Sequence, residues 1–379
     1  MNLNLGNIQF YWRMVKDRDK EQVEIPSFLP FEFGFDTNLQ LIKQNLPKHT
    51  IEMLEKVYQY DYNVGYLQDG HDLAEGYAND FLEFFKQHLE NRNITSIFEI
   101  GCGGGYLLKR IKKFGNFKVT CLDPSPIALK NKEHFDVVSS FYPCQKYKKK
   151  VDVIIHYDVL EHIENPVEFL KAHKNNLTED GYILFAVPDC TNYISIGDVS
   201  MVLHEHINYF DIESLTLTVQ QAGFKNINVA KSNHGGVLYC FAQNSNNILN
   251  NVDKNSCKFT TFVENYKKIQ NSIDSLILEN KSKTIGFYVP LRALPYISKY
   301  KTNNFRFFDD DSGIHGKYFD GFDVPIENFE DLKNNPVDLM FIMSDSFGEK
   351  IKNKIIYQGF KLEIKLINEL VNRVEQDEK

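Results

Sequence analysis

The residues with the clearest chemistry stand in two short stretches, Phe98-Glu99-Ile100-Gly101-Cys102-Gly103-Gly104-Gly105-Tyr106 and Val119-Thr120-Cys121-Leu122-Asp123-Pro124. The first reads as an apolar strand that runs into a glycine-rich turn and then a helix. The second reads as a buried strand ending on an acid, 24 positions after Glu99. Glycines at 101, 103 and 105 let backbone come close to a ligand. An acid at the tip of the next strand accepts hydrogen bonds from both hydroxyls of a ribose, so the two stretches build a nucleoside pocket. Two details favour S-adenosyl-L-methionine over a dinucleotide. Glu99 stands where a charged amino-acid tail needs an anchor, and Tyr106 occupies the last glycine position of G-x-G-x-x-G. Asp123 and Pro124 then border the ribose, and Ser139 and Ser140, after a third strand, border the adenine. His156, Tyr157 and Asp158, after a fourth strand, line the same rim; Glu161 and His162 read as closing the following helix start.

The most unusual segment is Leu203-His204-Glu205-His206-Ile207-Asn208-Tyr209-Phe210. A metal reading fails on spacing, because i and i+2 side chains diverge on a helix while H-E-x-x-H uses i and i+4. On an extended loop the two histidines face one way, yet no third ligand is evident in sequence, so no metal is expected. A general base backed by a carboxylate fits better, since histidine titrates near neutrality and a carboxylate orients it and raises its basicity. Asn233-His234-Gly235-Gly236-Val237 precedes the last strand of this region, and its paired glycines suit either a close approach to a ligand or a plain hairpin turn.

These motifs need a frame to hold them. Strands over 96–100, 118–122, 137–139, 151–156, 181–187, 227–231 and 237–243 alternate with helical segments, which predicts a parallel sheet with helices on both faces and an antiparallel strand at its edge. Residues 1–90 read as an irregular, aromatic stretch followed by helical patterning from Leu41 and from Asp72 to Leu89. Residues 91–245 form the nucleoside-binding α/β domain. An Asn-rich linker leads to a smaller α/β domain over 246–379, with a helix from Phe259 to Asn280, strands at 284–289, 305–309 and 339–344, a helix at 293–300 and a closing helix from Glu363. The net charge of −8 over 379 residues argues against nucleic acid as a partner. Six scattered cysteines without a C-x-x-C pair suggest a reducing compartment, with neither a disulfide framework nor a zinc site. No apolar run approaches the ~20 residues of a membrane span. A cytoplasmic protein without a membrane partner, monomeric or homodimeric, is expected.

Glu99-Ile100-Gly101, Leu122-Asp123-Pro124-Ser125, His204-Glu205-His206-x-x-Tyr209-Phe210 and His234-Gly235-Gly236 together resemble the sugar C-methyltransferases, which act on nucleotide-linked deoxysugars. Gly316-Lys317-Tyr318-x-x-Gly321-x-x-Val324-Pro325-Ile326 is similar to a further family segment. Family members begin with a cysteine-rich zinc-binding segment, whereas residues 1–57 here hold no cysteine. The resemblance implies a class I methyltransferase fold, Rossmann-like, with S-adenosyl-L-methionine as donor and a nucleotide-activated keto-sugar as acceptor. It implies His206 as the base, Glu205 and Tyr209 as its supports, and Tyr60, Tyr62, His204, His234, Gly235, Arg292 and Lys317 around the sugar nucleotide. O-methylation of a nucleotide-linked sugar such as a heptose needs the same base and no ketone. A non-catalytic nucleoside-binding subunit is the third reading.

Overall fold

The computed structural model describes residues 2–10, 26–47, 50–54, 72–245, 257–300, 304–319 and 321–370. In chain order the elements are β1 (Leu3–Gln9), β2 (Phe28–Asp36), β3 (Leu41–Gln44), α1 (Asp72–Leu89), β4 (Ser96–Ile100), α2 (Tyr106–Ile111), β5 (Lys118–Leu122), β6 (Asp136–Val138) and β7 (Val151–Tyr157). They continue with α3 (Pro166–His173), β8 (Leu177–Pro188), α4 (Thr191–Ile196), β9 (Asn208–Tyr209), α5 (Ile212–Gln221), β10 (Phe224–Lys231) and β11 (Val237–Asn244). The remainder holds α6 (Lys258–Glu279), β12 (Ile285–Tyr288), α7 (Pro290–Ile297), β13 (Phe305–Asp309), β14 (Ile326–Asn328), β15 (Leu339–Ile342), α8 (Gly348–Tyr357) and β16 (Glu363–Leu366). These elements group into two compact units, residues 35–190 with 205–255, and residues 1–34 with 191–204 and 256–379.

The first unit is built on a seven-stranded sheet of order β10-β11-β8-β7-β4-β5-β6. From β6 to β8 all neighbours run parallel, and β11 is antiparallel to both β8 and β10. Its central strands are apolar on both faces because helices cover both. Phe98, Ile154, Ile183 and Phe185 pack with Phe169 and Leu170 of α3 and Leu215 of α5. On the opposite face Ile97, Val153, Ile155 and Leu184 pack with Phe81, Leu82 and Phe85 of α1. The expected doubly wound arrangement is present, and it brings the loops after β4, β5 and β7 to one sheet edge.

The second unit contains the antiparallel pair β1–β2 and a five-stranded, all-parallel sheet of order β14-β13-β12-β15-β16. Two sequence expectations are corrected. The segment from Leu41 is a strand, β3, because it pairs with β9, a partner far away in sequence. The segment from Glu363 is also a strand, β16, whose alternating Glu-Ile-Lys-Leu closes the parallel sheet beside β15.

A third correction concerns His156. The period-two alternation of β7 turns its side chain into the core rather than onto the rim. The imidazole is fully buried, stacked on Phe185 at 4.5 Å between ring centres and edge-on to Phe169 and His173. Neither ring nitrogen has a hydrogen-bond partner. His173 is equally buried and donates Nδ1–H to the Phe169 carbonyl (2.8 Å). Burial first, and the neighbouring His173 second, hold His156 well below its ordinary pKa, while burial brings His173 down to about 3 against the opposing pull of its hydrogen bond to Phe169. The unfolded chain therefore binds protons that the folded one refuses. This stabilisation is complete above about pH 6.5 and is lost as pH falls toward the depressed folded values, at about 1.4 kcal/mol per pH unit per histidine. Urea denaturation at pH 7.5 and pH 5 is expected to show a marked loss of stability at the lower pH. His156→Leu should remove about one proton from that dependence.

Candidate active site

The glycine turn between β4 and α2 is shaped by backbone that only glycine adopts readily. Gly101, Gly103 and Gly105 have φ of 74°, 47° and 71°. Gly101 N donates to the Leu122 carbonyl (2.8 Å), and Gly103 N donates to Asp123 Oδ2 (2.8 Å). Asp123 Oδ1 accepts from Ser125 N (2.7 Å) and Ser125 Oγ, so the acid is locked at the tip of β5. Asp123 N in turn donates to Val138 O (3.1 Å), joining this tip to the end of β6, where Ser139 is exposed and Ser140 half-buried. Half-buried Pro124 follows the acid.

Glu99 is 3% exposed, and its Oε2 has no hydrogen-bond partner. Burial first, and the Asp123 charge second, push its carboxyl well above the ordinary carboxylate range. A buried acid with one oxygen unsatisfied beside a left-handed glycine turn fits the cationic amino-acid end of S-adenosylmethionine, with Asp123 for the ribose. Cys102 and Cys121, expected as separate thiols, face each other from the turn and from β5 and are joined as a disulfide, with Cα atoms 5.8 Å apart. Strand pairing of Glu99 with Cys121 explains their proximity.

The loop after β7 lies directly beside this turn. A Cβ added at Gly101 would fall 2.6 Å from Val159 Cγ2. Tyr157 itself faces inward, edge-on to Phe81 of α1, so its side chain belongs to the core rather than to the rim. Asp158, at φ 53°, ends the strand with its N–H on the Ala186 carbonyl (3.2 Å). A single helical turn, Leu160–His162, follows. Three hydrogen bonds to backbone carbonyls staple the 205–209 segment to it: Ile207 N donates to the Glu161 carbonyl (2.7 Å), and Asn208 Nδ2 donates to the carbonyls of Leu160 (3.1 Å) and Ile163 (2.7 Å).

The result is a cluster of five ionisable side chains. Burial and then the Glu205 charge raise Asp158 to about 7. Burial and then Asp158 hold Glu161 well above its ordinary range. His162 is lowered to about 4 by burial, opposed by its hydrogen bond to the Glu205 carbonyl. The His206 ring meets that of His162 edge-on at 4.9 Å and lies 6.4 Å from that of buried Tyr209. Glu161, His162 and His206 each bring a ligand-capable atom within 4.8 Å of the others. A third ligand-capable group, not evident in the sequence, thus lies beside His206 in the structure. The missing partners adjoin the end of the fourth strand, and an acid–histidine pair at a strand's carboxyl end was the signal available for them.

Other expected site residues lie elsewhere. His204 is 3% exposed, its Nε2 hydrogen-bonds the Leu29 carbonyl (3.1 Å), and its ring abuts Phe10 and Phe31; it anchors the other unit instead of lining a sugar pocket. Gly235 and Gly236, at φ 87° and 71°, form the turn joining β10 to β11. Exposed His234 packs on Tyr77 at 4.6 Å and borders an open cleft of about 490 Å³ together with Gly76, Asn79, Asp80, Lys86 and Phe114. Arg292 belongs to the second unit, with Nη1 3.4 Å from the Ser200 carbonyl; half-buried Lys317 is in the same unit. Tyr60 and Tyr62 lie outside the described residues.

A carboxyl that holds its proton more tightly folded than unfolded makes stability fall as pH rises from about 4.5 through the raised folded value. Glu99→Gln is therefore expected to raise the melting temperature of the ligand-free protein at pH 8. The same substitution should weaken S-adenosylmethionine binding, read by calorimetry, by roughly tenfold or more. Gly101→Ala combines a strained φ with the Val159 clash, and should cost about 1–3 kcal/mol of stability and abolish donor binding.

A family model described as a methyltransferase domain matches residues 70–229. A tRNA U34 carboxymethyltransferase of Pseudoalteromonas translucida is 24% identical over 233 residues, 55% of this chain and 62% of that one. A ubiquinone biosynthesis O-methyltransferase of Hydrogenovibrio crunogenus is 25% identical over 163 residues, 38% of this chain and 66% of that one. The chain thus spans just under two thirds of the length of each of these relatives. Among solved structures, the 1,6-didemethyltoxoflavin-N1-methyltransferase of Burkholderia thailandensis is 13% identical, with a TM-score of 0.41, and covers 55% of this chain and 96% of its own. The matched family model and the doubly wound sheet with its glycine turn identify residues 70–229 as a class I, S-adenosylmethionine-dependent methyltransferase domain.

Proposed function

We propose that the chain transfers a methyl group from S-adenosylmethionine to a nucleotide-activated sugar, at a carbon beside a ketone. The observation that carries this reading is the adjacency of two features on one sheet edge. The glycine turn with its buried Glu99 touches the β7 loop, and that loop bears Asp158, Glu161 and His162, against which hydrogen bonds hold the segment carrying Glu205 and His206. The sugar acceptor rests on the resemblance of the H-E-H-x-x-Y-F and H-G-G segments, and the net charge of −8 disfavours a polyanionic acceptor such as RNA.

Bound S-adenosylmethionine supplies a methyl group made electrophilic by the adjacent sulfonium. The chain's part is to hold the donor and to manage a proton. Glu99 would take the donor's ammonium and Asp123 its ribose hydroxyls. His206, stapled in place through Asn208, would take the proton from the acceptor carbon. The carbon keeps the electron pair that would form the new bond to the methyl carbon as the sulfonium's C–S bond breaks and the neutral thioether leaves, and Glu205 and Asp158 would stabilise the resulting imidazolium. O-methylation is a second reading, favoured by relatives named as O-methyltransferases. It uses the same proton acceptor on a hydroxyl.

Incubation with a nucleotide keto-sugar in deuterated water should show exchange at the carbon to be methylated. His206→Asn should abolish that exchange and lower turnover by about 10²–10⁴ while leaving donor affinity intact. Absence of exchange, with a product methyl resonance typical of an ether carbon, decides for oxygen.

A further inference from the structure

We propose that Glu161, His162 and His206 form a binding site for one divalent transition-metal cation. Two imidazoles and a carboxylate are a donor set suited to Zn²⁺, Co²⁺ or Fe²⁺ and poorly suited to Mg²⁺ or Ca²⁺. One ligand atom from each residue lies within 4.8 Å of the others, and Glu161 Oε1 is 3.7 Å from His162 Nε2. Ligands bound at ~2.1 Å to one ion stand about 3–4 Å apart, so the widest pair needs to close by about 1 Å, which side-chain rotation provides.

An independent observation points to the ion. Glu161 is 1% exposed, and neither of its carboxylate oxygens has a hydrogen-bond partner. Leaving such a group unpaired costs several kcal/mol, and a cation is the natural compensation. The orientation of His162 points the same way. Its other nitrogen, Nδ1, hydrogen-bonds the Glu205 carbonyl at 2.9 Å. A carbonyl only accepts, so the proton sits on Nδ1, and Nε2 directs its lone pair toward Glu161. Backbone-held imidazoles of this kind are how proteins fix the tautomer of a metal-ligating histidine. The hydrogen bonds from Ile207 and Asn208 hold the segment bearing His206 against the turn bearing the other two ligands.

Three protein ligands leave a coordination position for water or for an oxygen of the acceptor, which the ion would acidify. Coordination uses the same His206 lone pair that would take the acceptor's proton, so ion binding and proton acceptance by His206 are mutually exclusive states of the cluster. The site is assigned from its own geometry, and metal content is measured with neither donor nor acceptor present. Its failure is therefore distinguishable from failure of the methyl-transfer reading.

The experiment uses untagged full-length protein, stripped with chelator, titrated with ZnCl₂ by calorimetry and with CoCl₂ by visible absorption. One ion per chain with micromolar or tighter affinity, Co²⁺ bands of an ordered N/O site, and no displacement by millimolar Mg²⁺ are expected. Glu161→Gln and His206→Ala should each weaken Zn²⁺ binding roughly tenfold or more, and His134→Ala, an exposed histidine outside the cluster, should not. Glu161→Gln replaces a buried carboxyl that lacks a hydrogen-bond partner with a neutral group of the same shape, so the stripped variant should melt no lower than the parent, which separates lost binding from lost fold. Zinc stoichiometry well below one, or affinity unchanged in both cluster variants, overturns the proposal.

Discussion

Burying a carboxylate without a partner is among the most expensive arrangements in a folded chain, and this unit does it twice at one sheet edge. Glu99 and Glu161 are 3% and 1% exposed, and no hydrogen bond satisfies Oε2 of Glu99 or either carboxylate oxygen of Glu161. The sheet does not require either acid. Neighbouring positions on β4 and β7 are filled with Ile, Phe and Val, and an apolar residue at 99 would serve the core better. The acids are therefore explained by what arrives from outside, and in both cases the complement is positive charge. The proposed complements are the donor's ammonium at Glu99 and a metal ion at Glu161. The remaining architecture serves to bring these two sites together. The parallel pairing of Ile100 with His156 sets the two strand ends side by side, and Gly101 has no side chain so that Val159 can occupy the space.

The donor half was legible in the sequence because its determinants are local. A strand, three glycines at positive φ and an acid at the tip of the next strand each leave a mark on a few consecutive residues. The limits of β4, β5 and β13 follow directly from their apolar runs. The cluster around His206 was only half legible. The triplet stands out by composition, but its partners come from a turn well upstream. Two amide hydrogens of Asn208 connect them, and no spacing rule records that link. For the same reason β3 escaped recognition: its Leu-Ile-Lys-Gln does not alternate, and its pairing with β9 is non-local. By contrast β16 shows strict alternation, Glu363-Ile364-Lys365-Leu366, and was obscured by the helix-like residues that follow it.

The histidines show why residue type alone misleads. His156, His173 and His204 sit in aromatic surroundings where the protein keeps them neutral. Strand alternation in β7 cannot be read from sequence, because both faces of that strand are covered and nearly every residue from 151 to 157 is buried. Nothing in His156 itself therefore says which face it takes. His162 differs in what surrounds it. A backbone carbonyl fixes one nitrogen, and a carboxylate with no other partner faces the second. A buried histidine packed only against rings contributes volume. One held between a carbonyl and an unpaired acid has its lone pair aimed at a place where a third group is needed. That difference, rather than burial or proximity to the sheet edge, is the reason to assign chemistry to 162 and 206 and to withhold it from 156 and 204.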